Sequence, residues 1–277
     1  MSNRNSQANK QAARERLRAE RERQAKKDKV RRQLTVGGAI VVVLAIAGGI
    51  GLAVAKSGGG GDGSPEDTWA KAKDAKLVKP AHTSGADGTT VTIGEKGAKN
   101  TLDLYEDPRC PGCANFEQNV GATVEKDIAD GKYNASYHLG TFLDDNLQGT
   151  GSKNALSALG AALDKSPEAF LHYKLALYSK KYHPEETGPD KFADDAYLIK
   201  VANTVPELKN DKTFQKHLKD GTYDRWALTM SDAFNKAKDV RSTPTLKLNG
   251  KLLSADGQSA PSTVDAFNSL VAKSLKK

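Results

Sequence analysis

Leu102-Asp103-Leu104-Tyr105-Glu106-Asp107-Pro108-Arg109-Cys110-Pro111-Gly112-Cys113 is the stretch on which the fold turns. Thr101–Tyr105 is a short β-type run. Pro111 suits the first position of a helix, and Phe116, Val120, Val124 and Ile128 then recur at i+4 until Asp130-Gly131 stops the pattern. A strand therefore feeds a helix, and Cys110 stands at its N-cap. The free N–H groups and positive end of the helix dipole lie against its sulfur. Such a site favours thiolate over thiol, with pKa values running from roughly 3.5 to 7.5. Cys113 lies one turn further in and is more sheltered. Cys110 is then expected to attack or be attacked, and Cys113 to resolve the mixed disulfide. Arg109 adds charge of the same sense if its side chain points toward the sulfur.

Working outward, Thr89–Ile93 is a second β-type run, separated from Thr101–Tyr105 by the turn signal Gly94-Glu95-Lys96-Gly97. Tyr133–Leu139 alternates like a strand. Five helical segments follow within about 152–238: Ala155–Leu163, Pro167–Tyr182, Ala193–Val201, Leu208–Leu218 and Trp226–Ala237. Thr245–Leu248 returns to strand, Asn249-Gly250 turns the chain, and Lys251–Leu253 pairs back. A last helix carries Val264, Phe267, Val271 and Leu275 on one face. The order is β-β-α-β, a helical block, then β-β-α, an α/β chain long enough for one core.

Two other readings of the cysteine pair compete. Zinc takes about four ligands, and none of His82, His138, His172, His183 or His217 stands at ligand spacing to the pair. A structural disulfide over so short a loop restrains the unfolded chain little. No metal and no cofactor are expected. The second constellation is Arg241-Ser242-Thr243-Pro244-Thr245. A proline opening a strand is by default an ordinary trans edge residue, but it gains weight beside a Cys-x-x-Cys on a strand–helix joint.

Residues 102–113, with Phe116 after them, resemble the DsbA-like thioredoxin-fold oxidoreductases, in which an Asp stands three residues before a Cys-Pro-x-Cys as Asp107 does here. The helical block before a Thr-Pro strand is similar to that group as well. The resemblance covers about residues 89–277 and implies a thioredoxin-like fold with an inserted all-helical subdomain. It implies that Pro244 is cis and faces the sulfur atoms, and that Thr243 offers backbone hydrogen bonds to an extended substrate. Asp107, Arg109 and Pro111 are the residues expected to tune the thiol. The sequence departs from the group in carrying Pro-Gly between the cysteines where well-known DsbA enzymes carry Pro-His, so one donor to the thiolate is missing.

The formal net charge of +8 is concentrated at the N-terminus. Residues 1–33 hold twelve Lys/Arg against four acids, and residues 34–277 are balanced, 30 against 30. The basic character thus describes an arm, expected to be cytoplasmic, and not a nucleic-acid-binding surface. Directly after it, Leu34 to Ala55 are 22 residues without a charge. As a helix they span roughly 33 Å, enough for a hydrocarbon core of about 30 Å. A single-pass transmembrane helix is expected, contacting lipid through residues 34–55, with everything beyond Lys56 outside the cytoplasm. Cleavage after Ala53-Val54-Ala55 is the rival reading. Residues 56–88, opening with Lys56-Ser57-Gly58-Gly59-Gly60-Gly61, are expected to form a flexible linker, with a short helix around Trp69.

Cys110 and Cys113 are the sole cysteines, so an exported domain would have no other disulfide. The expectation is a cell-membrane thiol–disulfide oxidoreductase, acting on the thiols or disulfides of exported proteins, most naturally as a net oxidase served by a membrane partner of the DsbB or VKOR type. A reductase of the same fold and a non-catalytic tethered binding module are the alternatives.

Overall fold

The computed structural model describes residues 65–95 and 97–276. The expected arm 1–33, membrane span 34–55 and first part of the linker lie outside the described residues. In chain order the elements are α1 (Pro65–Ala72), β1 (Val91–Ile93), β2 (Thr101–Glu106), α2 (Pro111–Phe116), which passes through a π-turn at Glu117–Gly121 into α3 (Ala122–Ala129), and β3 (Asn134–Leu139). The insertion follows as α4 (Phe142–Leu147), α5 (Gly151–Lys165), α6 (Pro167–Tyr178), α7 (Asp195–Ala202), α8 (Lys212–Lys219) and α9 (Asp224–Asn235). The chain closes with β4 (Thr245–Leu248), β5 (Lys251–Leu252) and α10 (Val264–Ser274).

The five strands form one sheet in the order β1-β3-β2-β4-β5. β2 is central, parallel to β3 and antiparallel to β4, with Leu104 opposite Tyr137 on one side and Leu246 on the other. A parallel pair needs a crossover, which α2 and α3 provide. β1 is antiparallel to the far edge of β3, so the two β-runs flanking Gly94–Gly97 are not hairpin partners. Along β2 the side chains alternate, with Leu102, Leu104 and Glu106 buried. Phe116, Val120, Val124 and Ile128 pack under the sheet as their spacing predicts, and Phe116 meets Phe267 of α10 edge-on.

Helix boundaries in the insertion follow the capping residues more than the apolar pattern. Asp194 caps α7 and Asp211 caps α8, so α8 starts at Lys212 and not at Leu208, which falls in a separate 3₁₀ turn. Ser179 is extended and ends α6 at Tyr178, short of Tyr182. α5 is buried along Ala155–Leu163, where small residues admit its neighbours; the Trp226 ring would lie 2.8 Å from a Cβ added at Gly160.

The folded unit also begins earlier than Thr89. Trp69 and Ala72 of α1 are buried in the main core, and the Trp226 indole donates to the Gly88 carbonyl at 2.8 Å. Residues 65–88 are therefore part of the globular unit, and the expected linker is correspondingly shorter. Among the described residues no helix is long and apolar enough to cross a membrane.

Candidate functional site

Cys110 is the N-cap of α2, in extended backbone (φ −70°, ψ 119°), with Pro111 in the first turn. Its Sγ accepts the Cys113 backbone N–H at 3.4 Å and the Thr243 hydroxyl at 3.2 Å, while the Thr243 carbonyl lies 3.4 Å away as an acceptor for the thiol proton. A hydrogen bond from the Cys113 thiol is the main influence lowering the Cys110 pKa, to about 6; burial opposes it, and the Thr243 hydroxyl and the N–H groups of Cys113 and Gly112 assist. Cys113 is fully buried, and burial first, then its bond to Cys110 and the charge of Glu106, push its thiol well above the ordinary value. Both cysteines are free thiols in this structure. The pair is thus strongly unequal: both cysteines are buried, but Cys110, 7% exposed, ionises the more readily, and Cys113 is fully enclosed.

The Thr243-Pro244 bond is cis. This loop lies against the first turn of α2, where a Cβ on Gly112 would stand 3.2 Å from Pro244 Cδ and 3.3 Å from the Thr243 carbonyl. Thr243 and Pro244, some 130 positions from the cysteines in sequence, are thereby brought to the first turn of α2 beside Cys110.

Two of the expected tuning residues are turned elsewhere. The Arg109 guanidinium is buried against Asp144 at 3.0 Å and Asp190 at 3.4 Å, so it acts as a brace to the insertion and not as a donor to Cys110. The Asp107 carboxylate accepts the Ser152 hydroxyl at 2.6 Å, the Arg109 N–H at 2.9 Å and the Leu143 N–H at 3.0 Å, which satisfies it away from the sulfur. Burial raises its pKa to about 6 despite these bonds. Its carbonyl receives the Cys110 N–H at 2.9 Å and the Tyr178 hydroxyl at 3.0 Å, so Asp107 holds the cysteine's backbone.

Beneath Cys113 lies a buried ionic group that the sequence reading missed. Lys174 of α6 pairs with Glu106 at 3.0 Å and with Glu117 of the π-turn at 2.6 Å. Burial pushes Glu106 up to about 8, against the pull of Lys174. The signal for Glu106 was present in its phase with Leu102 and Leu104, which commits a carboxylate to the core face. Nothing local points to Lys174. Among the described residues no group of three His, Cys, Asp or Glu side chains is placed to hold a metal ion.

Comparison with known proteins agrees with this geometry. The thioredoxin family model matches residues 86–273. The chain is 29% identical over 120 residues to the serine/threonine-protein kinase PknE of Mycobacterium tuberculosis; the match spans 42% of this chain and only 20% of the kinase. It is 23% identical over 161 residues to the disulfide bond formation protein D of Bacillus subtilis, covering 58% of this chain and 68% of that one. Among solved structures it is similar to the reduced disulfide bond oxidoreductase DsbG of Mycobacterium tuberculosis, with 27% identity and a TM-score of 0.56 over 67% of this chain and 86% of that one. The chain belongs to the thioredoxin family.

Proposed function

We propose that this protein is a DsbA-type thiol–disulfide oxidoreductase that exchanges disulfides with exported proteins. The observation that carries the reading is the inequality of the pair: Cys110 with its thiol lowered to about 6, beside a Cys113 pushed well above the ordinary range. The likeness to the disulfide bond formation protein D supports it. The similarity to the kinases covers too little of their length to bring kinase activity with it.

In the oxidising direction a substrate thiolate attacks Sγ of Cys110 in the Cys110–Cys113 disulfide. Cys113 leaves with the electron pair of the broken bond and takes up a proton. A second substrate thiolate then attacks the substrate sulfur of the mixed disulfide, and Cys110 leaves as a thiolate. The substrate gains a disulfide, the protein gains two electrons, and the protons come from the substrate thiols. Return to the disulfide form needs an oxidant, for which a membrane disulfide partner of the DsbB or VKOR type is the natural source. A stable Cys110 thiolate stabilises the dithiol form and so makes the disulfide a better oxidant. Gly112, where an imidazole would add a further donor, favours a milder enzyme, and a reductase of the same fold is the second reading.

The basic arm and the uncharged run 34–55 support a single-pass anchor with the catalytic unit outside the cytoplasm. An impermeant thiol reagent should then label a Cys placed at Ser64 in intact cells and spare one at Ser6; the reverse pattern removes the extracytoplasmic assignment. For the activity, Cys113→Ser should accumulate mixed disulfides with exported proteins through Cys110, visible as thiol-sensitive adducts on non-reducing gels. A Cys113→Ser protein that traps nothing, while the wild type neither oxidises peptides nor reduces insulin, would remove the enzyme reading.

A further inference from the structure

Tyr178, the last residue of α6, stands at the joint between the insertion and the cysteine pair. Its ring packs with Cys110, Cys113, Ala114 and Leu143 in a cluster separate from the main core. Its hydroxyl donates to the Asp107 carbonyl at 3.0 Å, 71 positions away, and the same oxygen accepts the Cys110 N–H at 2.9 Å. The other end of the residue is fixed as well, since the Gln118 amide donates to the Tyr178 carbonyl at 2.7 Å. The Lys174 ammonium lies 5.5 Å from the ring centroid, and the His183 ring stacks on the phenol, 5.8 Å between centroids at 19°. Burial above all, then the charge of Glu106, push the phenol well above its ordinary value, so it stays a donor wherever Cys110 titrates. Asp107 in turn meets both cysteines: its carbonyl holds the Cys110 backbone, and its N–H favours the Cys113 thiolate.

We propose that Tyr178 is a positioning residue for thiol–disulfide exchange, acting through the Asp107 peptide to hold Cys110 in its N-cap geometry and to favour its thiolate. The inference rests on the thiol–disulfide reading of Cys110. A carbonyl oxygen has two lone pairs, and here one is taken by Cys110 and one by the phenol. The oxygen is the negative end of its dipole and is bonded to the cysteine's own N–H, so an unfilled lone pair would oppose a sulfur anion on that residue. The phenol offsets this charge, and in a buried site such a donor acts more strongly than in water. It also keeps the carbonyl aimed at the Cys110 N–H, which holds Sγ at 3.4 Å from the Cys113 nitrogen and 3.2 Å from the Thr243 hydroxyl. When Cys113 leaves with the electron pair of the broken disulfide, the Asp107 N–H is already placed toward it.

Tyr178→Phe keeps the ring and removes the hydroxyl alone. The reduced protein is titrated from about pH 4 to 9 by its ultraviolet thiolate absorbance, with the Cys110→Ser form of each protein as its blank. The Tyr178→Phe midpoint should lie about half a pH unit or more above wild type, which is about threefold less thiolate on the acid side. A hydroxyl that serves packing alone would lower the melting temperature and leave the midpoint in place. The converse protein carries a ring-fluorinated tyrosine at position 178, introduced by codon suppression. It is a stronger donor of nearly the same shape and should move the midpoint down, and it decides the question if Tyr178→Phe fails to fold. A midpoint unmoved by Tyr178→Phe, or unmoved or raised by the fluorinated ring, would overturn the proposal. Exchange of the same proteins with oxidised glutathione is measured alongside. Absence of exchange in wild type would remove the enzyme reading, whereas the titration needs only the thiol and still decides the part played by Tyr178.

Discussion

Thr243 touches the reactive sulfur twice, through its hydroxyl as a donor and its carbonyl as an acceptor. The two contacts serve different protonation states. The carbonyl suits the thiol, and the hydroxyl gains strength once the sulfur is an anion, because bonds to charged groups are the stronger ones. Thr243→Val keeps the shape and removes the donor. The Cys110 pKa should rise by about one unit, equivalent to about 1.4 kcal/mol. The rate of iodoacetamide alkylation should fall near pH 6 and converge with wild type near pH 9. An unchanged profile would show that the hydroxyl does not stabilise the thiolate. At this scale the sequence was informative about Cys110, Cys113 and Pro111, whose roles depend on one helical turn. It was less so about Arg109 and Asp107. A side chain's direction is set by its partners, and theirs, Asp144, Ser152 and Asp190, all lie within the insertion.

β2, the π-turn and α6 together bury one lysine between two carboxylates. Removing Lys174 would leave the two carboxyl groups facing each other in the core and cost about 3–5 kcal/mol, whereas removing Glu106 leaves Lys174 paired with Glu117. The pH dependence follows from Glu106, raised from 4.5 to about 8. A carboxyl whose folded pKa lies above its unfolded value stabilises the fold most below the unfolded value, and that contribution is lost as pH rises through the folded value. Between about pH 4.5 and 8, Glu106 should therefore subtract stability progressively, and Glu106→Gln should flatten this decline in urea unfolding curves taken across the range. Because the Glu106 charge raises Cys113, the same variant should also make Cys113 easier to ionise. A variant whose stability still declines across that range as in wild type would contradict the assignment. Glu106 could be read from the alternation of β2, but its lysine is 68 positions away, and only the packing of α6 on the sheet brings the two together.

Across the whole molecule, the segment 65–88 ties the insertion to the sheet through Trp69 in the core and the Trp226–Gly88 hydrogen bond. By composition it read as tether, because the glycine-rich start of the region masked a single buried tryptophan whose partners are far along the chain. A protein starting at Pro65 should melt like the full chain outside the membrane. One starting at Thr89 should lose the Trp69 burial, worth about 3 kcal/mol, and melt roughly 10 °C lower. Equal melting temperatures would return the segment to the linker.

If Cys110 is a stabilised thiolate in the reduced protein, one titration reads it directly. Equilibration with glutathione buffers from pH 5 to 8 gives the reduction potential at each pH. While both cysteines take up protons on reduction the potential falls by about 59 mV per pH unit; once Cys110 stays ionised the slope halves to about 30 mV, a tenfold change in the equilibrium constant of a two-electron couple being about 30 mV. A stabilised Cys110 thiolate should give a break near pH 6, the Cys110 value, and a potential at pH 7 clearly above thioredoxin's roughly −270 mV. A single slope of about 59 mV through pH 8, with a potential at or below that of thioredoxin, would contradict it, leaving Cys110 an ordinary thiol and the oxidase direction without support.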